Sequence, residues 1–76
     1  METKYTYNGE DITLDVMFKI ERIICLMAER EKKDFDVAFA EFLASETYKA
    51  LQHTENALWA ESSEYITDEY YREKQR

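Results

Sequence analysis

The sequence predicts an all-α protein: a compact bundle of three to four helices behind an N-terminal arm that is either flexible or hairpin-like. Two observations carry this class. A single glycine, Gly9, and the absence of proline leave too few turn formers for an all-β fold. Beyond the arm, apolar residues recur at the period of an α-helix. The 76 residues leave room for one helical domain over 13–76 after an arm over 1–12. A chain of this size buries only about 60% of the surface its unfolded form exposes. One cysteine excludes an internal disulfide, so association is the remaining way to supplement a thin core.

In the arm, Tyr5 and Tyr7 alternate with polar residues and run into Asn8-Gly9, which is a hairpin signal. Ile12, Leu14, Val16 and Phe18 also alternate and fit a return strand. The same residues already follow a helical pattern, so the favoured reading is a loose arm with a helix cap at Asp11 or Thr13. From about Thr13 to Lys32, the residues Val16, Met17, Ile20, Ile23, Ile24 and Met27 form one broad apolar stripe. Leu14, Phe18 and Cys25 fall off that stripe on a narrower second face. A helix apolar on two sides is either central in its own fold or shares one side with another chain.

The charged run Arg30-Glu31-Lys32-Lys33-Asp34 reads as a link to a second helix capped by Asp34 or Asp36. There Phe35, Phe39, Phe42 and Leu43 are expected to face the core. An unbroken continuation would put Tyr48 and Leu51 on the side away from Phe39, so a break near Ser45 and a short third helix from about Glu46 to Gln52 are expected. His53-Thr54-Glu55-Asn56 is a polar loop, and Ala57-Leu58-Trp59-Ala60 returns to apolar surface. Ser62 or Ser63 then caps a last helix with Ile66 and Tyr70 inward and Tyr65 and Tyr71 flanking them. The bases that follow suit the negative end of the helix dipole.

The net charge of −7 is unevenly distributed. Residues 34–71 hold nine acids and one base, whereas 1–33 hold seven acids and six bases. An acidic half-chain repels nucleic-acid phosphate and favours a basic protein partner, so direct nucleic-acid binding is not expected. No apolar run approaches a membrane span, and residues 1–5 lack the layout of a secretory signal. Together with an unpaired Cys25 this indicates the cytoplasm and no membrane partner.

No pattern of catalytic or cofactor-binding residues emerges. Cys25, in an apolar helix, reads as a packing cysteine, and His53 as a loop residue or helix cap. Asp34-Phe35-Asp36 and Asp68-Glu69 lack the glycine and alternating oxygen ligands of a calcium loop, and one glycine cannot build a phosphate loop. We expect no metal, no cofactor and no enzymatic activity. Trp59 either lids the small core or serves as a binding anchor, and Tyr65, Tyr70 and Tyr71 exceed what one narrow inner face requires. Trp59, Tyr65, Tyr70, Tyr71, Asp68 and Glu69 are therefore the candidate partner-binding residues, with Leu14, Phe18 and Cys25 a candidate face for homo-oligomerisation.

The order of features from Ile20 onward resembles a family of small uncharacterised bacterial proteins. These have a leading apolar helix, an aromatic second helix, a Leu-His-Thr turn and a closing Tyr-Ile-x-x-Asp segment. The corresponding stretches are Leu51-Gln52-His53-Thr54, in which Gln52 is interposed, and Tyr65-Ile66-Thr67-Asp68, one residue shorter than the pattern. Such proteins are often encoded beside proteins that look like ADP-ribosyltransferase toxins. The resemblance implies an antitoxin or accessory role; together with the acidic half-chain, the leading expectation is a non-enzymatic interaction module, antitoxin-like or inhibitory, that binds a basic protein surface. The alternative is an acidic mimic of nucleic acid that inhibits a nucleic-acid-processing enzyme.

Overall fold

The computed structural model of the chain describes residues 5–75. It is an α-helical bundle with a small hairpin at its N-terminal side. The hairpin pairs β1 (Thr6–Tyr7) with β2 (Glu10–Asp11) in antiparallel register, Thr6 opposite Asp11 and Tyr7 opposite Glu10. Asn8 and Gly9 turn the chain with φ of 53° and 82°, the two positive values that a tight two-residue hairpin connection requires. The arm is thus a hairpin and not the loose segment favoured from sequence. Tertiary contacts decide it: Tyr5 and Ile12 are buried, the Thr54 hydroxyl donates to the Thr6 carbonyl at 2.7 Å, and Tyr7 packs edge-on against Trp59. The proposed return strand through Phe18 does not form, because the helical pattern takes over at Thr13.

Helix α1 (Thr13–Glu31) begins where Asp11 Oδ1 accepts the Thr13 N–H at 2.9 Å. It ends at Lys32, whose φ of 52° lies in the left-handed region usually left to glycine. Helix α2 (Phe35–Leu43) follows Asp34 and stops two residues before Ser45, where the break is expected. The Ser45 hydroxyl does two things there: it donates to the Phe42 carbonyl at 2.6 Å and accepts the Tyr48 N–H at 3.0 Å. It thereby closes α2 and opens α3 (Glu46–Gln52). The Glu73 carboxylate adds a second cap from across the bundle, accepting the N–H groups of Glu46 and Thr47, both at 2.9 Å, and the Thr47 hydroxyl at 2.7 Å. A negative charge at that end also suits the helix dipole. Two single 3-10 turns, Thr54–Asn56 and Leu58–Ala60, hinge on Ala57 with φ of 61° and lead to α4 (Ser63–Lys74), capped by the Ser62 hydroxyl.

Helix α1 is central and packs against both α2 and α4. The main core joins Ile23, Ile24 and Met27 to Ala38, Phe42, Leu51, Ile66 and Tyr70, with Phe42 edge-on to both Tyr48 and Tyr70. Tyr5, Ile12 and Val16 form a smaller cluster, and Ile20 and Trp59 pack against both groups. Among the described residues no helix is long and apolar enough to cross a membrane.

Several residues expected inside are outside. Met17, assigned to the α1 stripe, is 55% exposed, and Phe35, Phe39 and Leu43 are exposed on α2, whose inner side is Ala38 and Phe42. Cys25, expected to be a packing cysteine, is exposed. In each case the helical period is correct, but the neighbouring helix covers a narrower arc than the apolar residues span.

Candidate functional site

The misplaced residues converge. Leu14, Met17 and Phe18 stand on the outer side of α1, and Phe35, Phe39 and Leu43 on the facing side of α2. Between these two walls runs an open groove of about 630 Å³ with Tyr5, Ile20, Ile24, Tyr48 and Gln52 as its floor. That volume is in the range of sites that take ligands or peptide side chains, roughly 300–1,000 Å³. Leu14 is 67% exposed and Phe18 66%. The Phe35 and Phe39 rings lie stacked with centroids 6.2 Å apart, a direct result of their i, i+4 spacing on one helix face.

The hairpin helps to build this floor. The Tyr5 hydroxyl donates to Gln52 Oε1 at 2.5 Å, while the Gln52 amide nitrogen is buried with no hydrogen-bond partner. Burial, and secondarily the neighbouring Tyr5 phenol, raises the Tyr48 pKa above its ordinary value and keeps that hydroxyl neutral. Among the described residues, Glu21 is the one charged side chain lining the groove. A largely apolar channel of this kind is suited to covering hydrophobic side chains.

The residues picked from sequence scatter around the molecule. Trp59 lids the core, half-buried, with its indole N–H lacking a partner. Tyr70 is a core residue, so its ring is not a surface contact. Tyr71 is half-buried, donates its hydroxyl to the Glu31 carboxylate, and carries the Arg30 guanidinium 4.0 Å above its ring centre. Tyr65 is exposed and shares a cleft with Leu58 and Glu69, whereas Asp68 opens onto another cleft beside Arg30. Both acids have cationic neighbours within the chain, Asp68 with Arg30 at 3.7 Å and Glu69 with Arg72 at 2.6 Å. Of the face named for self-association, Leu14 and Phe18 line the groove, and Cys25 lies exposed outside its lining.

Sequence reasoning thus found one wall and missed the other. The pattern on α2 gave no warning: Phe35, Phe39, Phe42 and Leu43 fall at i, i+4, i+7 and i+8, the arc of about 100° that an ordinary core-facing stripe occupies. His53 is exposed and caps the C-terminus of α3. Among the described residues no three His, Cys, Asp or Glu side chains cluster as a metal site would require. Compared with known protein families, curated proteins and solved structures, the chain matches none.

Proposed function

We propose that this chain is a non-enzymatic protein-interaction module that binds a basic protein partner through the groove between α1 and α2, in an antitoxin-like or inhibitory role. The observation that carries the reading is the line of six large apolar side chains along one groove, Leu14, Met17, Phe18, Phe35, Phe39 and Leu43. Scattered apolar side chains are ordinary on a protein surface, but a contiguous set rimmed by polar residues is the signature of an interface. Leaving a phenylalanine in water forgoes about 1.5–3 kcal/mol relative to burying it, and a partner recovers that energy. The charge of −7 supports a basic partner. The toxin-adjacent family that the sequence resembles supports the inhibitory role.

The test is affinity capture from a lysate of the encoding organism, with the wild-type chain compared with Phe18→Ser/Phe39→Ser. A basic protein held stoichiometrically by the wild type and released by the double variant is the expected result. Retention that ignores the substitution, or retention of nothing, counts against the reading.

A further inference from the structure

The two sides of α1 differ in charge as well as in cover. Toward α4, the cations of α1 are engaged: Arg22 lies 3.8 Å from Glu64, Arg30 lies 3.7 Å from Asp68, and Lys19 donates to the Glu61 carbonyl at 2.7 Å. Lys33, in the link to α2, is held between Glu31 and Glu41 at 3.0 and 2.5 Å. Toward the groove, Glu21 is exposed in one wall. On α2 the exposed Asp36 stands seven residues before the groove residue Leu43, as Leu14 stands seven before Glu21. Seven residues turn a helix by two revolutions less about 20°. Each wall therefore sets one carboxylate nearly in line with an exposed leucine.

The walls also limit the shape of an occupant. Both are α-helices, whose backbone groups are spent in their own hydrogen bonds, so neither wall offers a strand edge. A segment that buries apolar side chains there must satisfy its own backbone, and a helix does so. From Leu14 to Ile24 the α1 wall rises about 15 Å, the length of three helical turns.

We propose that the groove receives an amphipathic basic α-helix of the partner protein. Its apolar residues, spaced i, i+3 or i+4, and i+7, seat between Leu14 and Phe18 on one side and Phe35 and Phe39 on the other. Lysines or arginines along its flanks meet Glu21 and Asp36. The inference rests on the interaction-module reading and names the partner's chemistry. A second copy of this chain is a poorer occupant, because a two-fold contact sets an acid-rimmed groove against its own image at −7 per copy.

The experiment measures fluorescence anisotropy of two labelled 14-residue synthetic peptides against the full chain. Both carry the same leucine stripe; lysines flank it in one and glutamates in the other. The lysine peptide is expected to bind at least about tenfold more tightly at low ionic strength, with the gap shrinking as salt is added. Glu21→Lys/Asp36→Lys closes that gap, and Phe18→Ser/Phe39→Ser weakens both peptides by more than about tenfold with an unchanged far-ultraviolet circular dichroism spectrum. Equal affinity for the two peptides overturns the proposal, as does indifference to the charge reversals. So does a peptide-free dimer, seen by light scattering, that Phe18→Ser dissolves. If lysate capture still depends on Phe18 and Phe39 while the peptides are not discriminated, the module reading stands and the basic-helix occupant falls.

Discussion

The two long sides of α1 have similar apolar content and opposite fates. On the α4 side, Ile23 and Met27 meet Ile66 and Tyr70 in the core, and a rim of Arg22–Glu64 and Arg30–Asp68 pairs surrounds them. On the groove side, Leu14, Met17 and Phe18 face outward opposite Phe35 and Phe39, and nothing in the described chain lies over them. The difference teaches that an apolar stripe states a demand for cover without saying whether the same chain meets it. Where the cover is internal, the stripe serves stability; where it is absent, the stripe is available for recognition.

Substitutions that match residue type and change only the side sharpen this contrast. The largest effect is expected within α2, where Phe42 is fully buried and Phe39 is 41% exposed three residues earlier. Phe42→Ala should lower the unfolding free energy by about 3–5 kcal/mol in urea titrations, whereas Phe39→Ala should cost about 1 kcal/mol or less. Comparable losses at both positions would mean that the groove wall is part of the core.

Next in size is a comparison of two carboxylates. Glu73→Ala removes the acceptor for three donors at the start of α3 and should cost about 1–2 kcal/mol. Glu21→Ala, in the groove wall, should stay within about 0.5 kcal/mol.

The α1–α4 seam also predicts a pH dependence. Burial, then the hydrogen bond to Glu31, raises the Tyr71 pKa above its ordinary 10.0, while that hydroxyl and then Lys33 lower the Glu31 pKa below 4.5. The phenol's contribution to stability is therefore complete below pH 10.0 and is lost as pH rises toward its raised folded value. The carboxylate's contribution is complete above pH 4.5 and is lost as pH falls through its lowered folded value. Tyr71→Phe should flatten both limbs of the stability profile, measured by thermal melts across pH. The smallest effect is expected at Phe18: Phe18→Ser should leave stability within about 0.5 kcal/mol of the wild type while removing binding through the groove.

Much of the helical framework was legible in the sequence. The start of α1 at Thr13, the break at Ser45, the α3 span and the inward Ile66 and Tyr70 all follow from local rules of period and capping, which depend on a few neighbouring residues. The hairpin was a weak signal because its stability comes from residues 47 to 52 positions away: Tyr5 bonds to Gln52, Thr6 to Thr54, and Tyr7 packs edge-on against Trp59. The groove was half legible. Leu14 and Phe18 stood out as a second face, but Phe35, Phe39 and Leu43 were indistinguishable from core residues until the position of α1 across from them was known. The acidic half-chain misdirected attention to Asp68 and Glu69, because composition records charge without recording that Arg30 and Arg72 stand beside them.

The exposed position of Cys25 has a practical consequence. The chain contains one thiol and one indole, the first on the outer side of α1 and the second in the loop that rests on the hairpin. A thiol-reactive energy acceptor on Cys25 would pair with Trp59 as the sole donor, with no engineered label. That ruler, built into the natural sequence, can follow the hairpin and its loop relative to α1 while a partner is titrated in.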